Sequence, residues 1–190
     1  MKLVRPLSTN LKTQGFGLKE TKPNMLAFYQ GLGLTAHNGW DWLAKKGEPI
    51  YWDCIDCDGY VINTHIDSSG GLGVVIATED KDGIFKHIFW HLSAFACKPG
   101  QKLSSGAIIG YAGSTGMSTG PHLHRGLKRA EASDTEVYTT IDRNNGYNGA
   151  INIAPHFKEN ICIQDILNKM EEQLSYIQKA IKAINAWLGR

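Results

Sequence analysis

The chain has 190 residues, 42% of them hydrophobic and 20% charged, with a formal net charge of +2. That length suits one domain with an appendage and a real core, and the ordinary apolar content excludes disordered and membrane classes. Lys and Arg are scattered rather than blocked, so no nucleic-acid stripe is expected, and no window reaches transmembrane length.

The N-terminus, Met1-Lys2-Leu3-Val4-Arg5-Pro6, offers no apolar stretch that could serve as a secretion signal. The first cluster with chemical promise is His37-Asn38-Gly39-Trp40-Asp41. A four-residue spacing would place His37 and Asp41 on one face of a helix. Gly39 and the flanking Gly31-Leu32-Gly33-Leu34 weigh against a helix start there, so a loop entering a short strand is expected. The helical zinc-protease pattern His-Glu-x-x-His is absent.

From about residue 48 to 127, short strands alternate with turn residues. Gly59-Tyr60-Val61-Ile62 and Gly73 to Thr78 read as strands, separated by the polar loop Asp67 to Gly71. Asp80-Lys81-Asp82-Gly83 closes a hairpin onto Ile84 to His91. Lys98-Pro99-Gly100-Gln101 is a further turn and Ala107 to Ala112 a further strand. This spacing predicts a mainly β protein, an antiparallel sandwich or flattened barrel. Cys54-Ile55-Asp56-Cys57 has the spacing of half a zinc ribbon, but no second pair follows. The favoured reading is two small unlinked strand residues beside a turn, with a disulfide or redox role as the alternative.

On the strand ending at His91, alternation places His87, Phe89 and His91 on one face, which could look into a cleft. A lone strand histidine is ordinarily a surface or satisfied core group. Gly113 to Gly120 reads as a flexible rim loop; no Lys-Ser/Thr follows it to make a phosphate cradle. His122 and His124 share a strand face two residues apart. With His37 and Asp41 they supply two imidazoles, a carboxylate and a spare histidine, a set that can hold zinc and leave an open position. Spacing alone leaves open whether both His122 and His124 bind metal. Trp40, Trp42, Trp52 and Trp90 are candidates for a groove wall, with core packing favoured for at least two.

Residues 1–127 thus form the β domain with its lead-in, and 128–160 a polar excursion closing it. Residues 161–190 form a heptad-patterned amphipathic helix. In that tail Ile163, Leu167, Met170, Leu174, Ile177, Ile181, Ile184 and Leu188 alternate spacings of four and three, predicting a helix of about 25 residues. Its stripe needs a partner: the β domain is favoured, then self-association as a coiled coil, then an envelope surface.

Four segments carry a family resemblance, in the family's order. They are Gln14-Gly15-Phe16-Gly17 with His37-x-Gly39-x-Asp41; Gly47 to Tyr51 with Asp58-Gly59; Trp90-His91-Leu92; and Gly100-Gln101 through the run Gly110 to His124, which includes Gly120-Pro121-His122-Leu123-His124. Over roughly residues 12 to 127 the chain resembles the lysostaphin-type, LytM-like zinc metallopeptidases, which cleave peptide bonds of bacterial peptidoglycan. The resemblance implies a duplicated-hybrid-motif β fold and one catalytic Zn²⁺ on His37, Asp41 and His124. It also implies that His91 and His122 stand beside the metal without ligating it. Such a site would retain net positive charge and acidify a water, leaving an imidazole to take the proton.

Arg125, where an aromatic commonly follows the His-x-His, and Trp90, where Tyr is common, depart from the pattern without removing a ligand. The expected function is therefore a zinc endopeptidase acting on peptidoglycan peptides at the cell wall. The visible sequence suggests phage-type release or a non-standard export route. The alternatives are a catalytically inactive family member that binds wall or regulates a partner hydrolase, and a sugar-transport phosphocarrier of similar β fold. The phosphocarrier would have no need of Asp41.

Overall fold

The computed structural model describes residues 1–133 and 137–188. Its twelve strands are β1 (Leu3–Arg5), β2 (Lys12–Gln14), β3 (Trp40–Leu43), β4 (Pro49–Tyr51), β5 (Gly59–Asp67), β6 (Gly71–Asp80), β7 (Gly83–Phe95), β8 (Lys102–Leu103), β9 (Ile108–Ala112), β10 (His122–Ala132), β11 (Tyr138–Thr140) and β12 (Phe157–Cys162). Two α-helices join them, α1 (Pro23–Gly31) and α2 (Ile163–Trp187).

The large sheet runs β2-β3-β10-β7-β6-β5-β8, with β11 added to β10 and β9 linking β7 to β4. Its described pairings are antiparallel, as expected from the turn spacing. The path does not close, so the flattened-barrel form is not the one adopted. A second small sheet pairs β1 with β12 in parallel. The Asp80–Gly83 hairpin pairs its end residues directly, and Gln101 N–H donates to the Lys98 carbonyl in the other expected turn.

Period-two alternation divides the sheet into a core face and a cleft face. Trp40, Trp42, Phe85, Phe89, Leu123 and Leu127 are buried in the core, where Phe157 of β12 packs against the rings of Trp40 and Trp42 at 5.1 and 5.4 Å. The intervening Asp41, Ile88, Trp90, His122, His124 and Lys128 line a cavity on the other face. Of the four tryptophans considered for the groove, Trp40, Trp42 and Trp52 are core and Trp90 lines the cleft. Within the polar region 128–160, residues 128–132 continue β10, while Asn148 and Ala150 reach the cavity wall.

Two expectations require correction. Cys54 and Cys57 are joined in a disulfide rather than unlinked. The turn through Asp56 brings their Cα atoms to 5.6 Å, within the range a disulfide spans. The tail helix forms over 25 residues as expected, but it does not lie along the β domain. Ile163 is buried and Leu167 packs over Gly106, where an added Cβ would stand 2.8 Å from Leu167 Cδ2. Beyond that turn the described side chains are exposed. α2 follows β12 directly, and among its described residues it meets the domain only through the N-terminal ones, as far as Leu167.

Candidate metal centre

Three elements bring the acidic and imidazole groups together. His37 lies in the loop before β3, its N–H donating to the Leu18 carbonyl, and Asp41 is the second residue of β3. Antiparallel register sets Asp41 directly opposite His124 on β10. The loop-then-strand reading of His37 to Asp41 therefore holds. Gly39 between them is required for closeness: a Cβ there would lie 2.6 Å from the His124 ring and 2.8 Å from the Arg125 carbonyl oxygen.

His37 Nε2 and His124 Nδ1 are 3.1 Å apart, and they lie 3.3 and 3.0 Å from Asp41 Oδ1. Donor atoms each about 2.0–2.2 Å from one tetrahedral ion stand roughly 3.3–3.5 Å from one another, so this spacing fits a zinc ion with slight expansion. Two nitrogens and a carboxylate oxygen are also a zinc-type donor set. The group His37, Asp41 and His124 could therefore hold a metal ion. Burial pushes the Asp41 carboxyl up, but the His124 and His37 imidazoles beside it outweigh that and hold the group far below the usual carboxylate range. Burial lowers His124, partly offset by Asp41.

Two further imidazoles flank the group. His91 and His122 have ring centroids 4.5 Å apart, and His122 Nε2 is 3.8 Å from Asp41 Oδ2. His91 Nδ1 is 2.8 Å from the Thr115 carbonyl oxygen and His122 Nδ1 is 2.8 Å from that of Gly120. A carbonyl only accepts, so each Nδ1 carries the proton and each Nε2 keeps its lone pair. His37 is fixed the same way by the Gly15 carbonyl oxygen at 3.1 Å. Burial first, and the neighbouring His122 second, lower His91 to about 4.

The route by which His91 enters the cleft differs from the alternation argument. His87 and Phe89 share a face, but that face is the core. Val74 pairs with Phe89 and Leu72 with Leu92, so two residues of β7, Trp90 and His91, oppose Gly73 alone. This bulge puts His91 in the left-handed region at φ 65° and turns its ring into the cavity. Bulges re-aim side chains in this way, at a conformational cost of about 1–3 kcal/mol for a non-glycine residue. Trp90 lies on a shelf of Gly70 and Gly73, where an added Cβ would come within 2.4 and 2.0 Å of its ring.

The Gly113–Gly120 loop lines the cavity through Met117, Ser118 and Thr119, as a rim loop should. It is anchored rather than free. Thr115 Oγ1 donates to the Leu92 carbonyl at 2.7 Å and accepts from Leu72 N–H at 2.9 Å, and Met117 N–H donates to the Ser69 carbonyl at 2.8 Å. Thr115 thus positions His91, a role its sequence context did not disclose. Tyr29 of α1, stacked on His37 at 6.5 Å, was not legible either. Burial raises its hydroxyl to about 12.

Arg125, the departure noted after His124, points away from the cleft and is fully buried. Its Nε and Nη2 donate to both Asp53 carboxylate oxygens at 3.0 and 3.1 Å, and its guanidinium stacks over Phe89 at 4.3 Å. Nη2 also donates to His87 Nδ1 at 2.6 Å. His87 Nε2 therefore bears the proton that Thr78 Oγ1 receives at 2.8 Å. This network braces β10 behind the histidines.

The glycyl-glycine endopeptidase ALE-1 of Staphylococcus capitis is 38% identical over 94 residues, covering 50% of this chain and 25% of that protein. The peptidoglycan DD-endopeptidase ShyA of Vibrio cholerae is 40% identical over 91 residues, covering 48% of this chain and 20% of that protein. The chain thus matches between a fifth and a quarter of the length of these relatives. Among solved structures, the catalytic domain of lysostaphin from Staphylococcus simulans aligns with TM-score 0.54 and 26% identity, covering 76% of this chain and 89% of that one. A zinc-containing peptidase from Vibrio cholerae aligns with TM-score 0.56 and 26% identity, covering 80% and 39%. Residues 35–147, more than half of the chain and including the three donors and both flanking histidines, match Peptidase family M23, and the chain belongs to that family.

Proposed function

We propose that this chain is a zinc-dependent endopeptidase that hydrolyses peptide bonds of bacterial peptidoglycan, acting on the cell-wall side of the membrane. One observation carries the reading: three donor atoms lie within 3.3 Å of one another on the floor of a cavity, with two imidazoles beside them whose Nε2 lone pairs are free. The cavity, about 340 Å³, has the size of a site for a short peptide segment. The names of the relatives, a glycyl-glycine endopeptidase and peptidoglycan DD-endopeptidases, support the substrate class.

His37, Asp41 and His124 would hold the ion. When bound, zinc supplies Lewis acidity, polarising a scissile carbonyl and acidifying water. The remaining chemistry belongs to the chain. His91 and His122 accept a proton at Nε2, donate hydrogen bonds to the developing oxyanion once protonated, and return a proton to the leaving amine. The Thr115 and Gly120 carbonyls hold both rings in the required tautomer. Trp90 and Met117 form walls that orient an extended peptide and exclude water.

The experiment combines metal analysis with digestion of purified walls bearing either glycine bridges or direct D-Ala-diaminopimelate links. Released fragments are identified by mass. Asp41→Ala or His124→Ala should lose both zinc and lysis. His122→Ala should keep one zinc per chain and lose about 10²–10⁴-fold in turnover. Stoichiometric zinc in Asp41→Ala would refute the ligand set. Bound zinc with no fragments from either wall would favour the non-catalytic, wall-binding alternative.

A further inference from the structure

The exposed face of α2 is the largest structural feature that the proposed chemistry does not use. Past its docked first turn the helix presents Met170, Leu174, Ile177, Ile181, Ile184 and Leu188 at 60, 54, 56, 52, 55 and 48% exposure. An amphipathic stripe of this kind, left in water over about 29 Å of helix, needs a covering surface.

Register identifies the cover. With spacings of three and four, Leu167, Leu174, Ile181 and Leu188 fall at position a and Ile163, Met170, Ile177 and Ile184 at position d. The seam is an unbroken heptad and matches a second copy of itself, layer on layer. Leu at a with Ile at d disfavours two-stranded coils and favours three- or four-stranded ones, because it is Ile at a with Leu at d that packs well in a parallel pair. The flanking e and g positions agree. From Gln164 to Trp187 every e and g position is neutral except Glu171, so they lack the opposite charges that zip a dimer and can be covered in a wider bundle. Charge is concentrated on the outer face, at Asp165, Lys169, Glu172, Lys179 and Lys182.

We infer that α2 assembles three or four copies of this chain into a parallel bundle. The β domains sit at the N-terminal ends of the helices, so a parallel bundle gathers the clefts at one end. On a polymeric substrate, that arrangement converts one binding event into several.

Light scattering on the 190-residue chain tests the assembly. A mass of three or four chains is expected; a mass of one or two overturns the inference. The variant Leu174→Ile, Ile177→Leu, Ile184→Leu keeps the apolar content, so it retains an apolar seam while restoring Ile at a and Leu at d. It should shift to a dimer, and an unchanged mass would overturn the packing argument. Ile177→Asp with Ile184→Asp should give monomers whose β-sheet circular dichroism is unchanged; persistence of the oligomer would overturn the assignment of the seam. Ile184→Cys should cross-link on oxidation to an extent the parent does not, since like d positions meet in a parallel bundle. Absence of cross-linking overturns the parallel orientation. If the chain hydrolyses peptidoglycan as proposed, the monomeric variant should match the parent on soluble peptides and fall at least tenfold on intact walls. Equal rates on walls would overturn the avidity role. The mass measurements stand whether or not hydrolysis is found, so failure of one reading is distinguishable from failure of the other.

Discussion

Replacing Arg125 by Met tests the bracing role assigned to the buried network behind the site. The substitution keeps the apolar stem over Phe89 but removes the donors to both Asp53 oxygens, the Gly126 carbonyl and His87. Asp53 is fully buried, and its carboxyl is already pushed up by burial and held back by Arg125. Breaking a buried pair on one side costs about 3–5 kcal/mol. Asp53 limits that cost by taking up a proton in the folded state, so its folded pKa rises far above the unfolded value of 3.8. A carboxyl raised on folding contributes most at low pH and loses stability as pH rises toward the folded pKa. Each pH unit in that window changes the difference by about 1.36 kcal/mol. Between pH 7 and 5 the penalty of Arg125→Met should therefore shrink by up to about 2.7 kcal/mol. Urea unfolding of the wild type, Arg125→Met and the double variant Arg125→Met with Asp53→Leu, at both pH values, measures it. The double variant should recover to within about 2 kcal/mol of wild type at pH 7, with no such pH dependence. A single-variant penalty under about 1 kcal/mol, or one equal at both pH values, would refute the reasoning.

Two further predictions concern the cleft. Lys128 is half-buried in the cavity wall opposite Lys86 on β7, and burial first, then Arg143 and Lys86, lower its ammonium to about 8. A base depressed on folding costs stability below its folded pKa, and that cost is relieved as pH rises from about 8 toward the unfolded value of 10.5. Lys128→Met should thus be more stable than wild type by roughly 1–3 kcal/mol at pH 7, with the gap closing by pH 10 in urea titrations. Gly39→Ala should displace the His124 ring, lower stability by about 1–3 kcal/mol, and weaken zinc at least tenfold in competition with a chelator. Unchanged zinc affinity would show that the close approach of Gly39 to His124 does not position that imidazole for metal binding.

Much of the fold was legible because its signals are local. The Asp80–Gly83 hairpin, the 25-residue heptad helix and the shared strand face of His122 and His124 each follow from spacing within one segment. The grouping of His37, Asp41 and His124 came from family resemblance, since no local rule joins residues more than eighty positions apart. Helix α1 is not legible in the sequence: its weakly patterned PNMLAFYQG lacks a side-chain cap and is recognisable at its start by Pro23 alone.

The sequence by itself therefore determined the turns, the helical tail and the faces of the strands that carry no bulge. These depend on the period of side chains along a strand or helix, which the chain carries at every position. Tertiary structure decided the rest. It set the bulge that swings His91 out of the core face, the Arg125–Asp53 pair behind His124, and the exposure of α2 beyond its first turn. Each depends on which distant backbone lies alongside. A one-residue surplus opposite Gly73 reverses a side chain, a buried carboxylate on another segment reverses the meaning of an arginine, and the lack of any described contact beyond Leu167 leaves a seam uncovered.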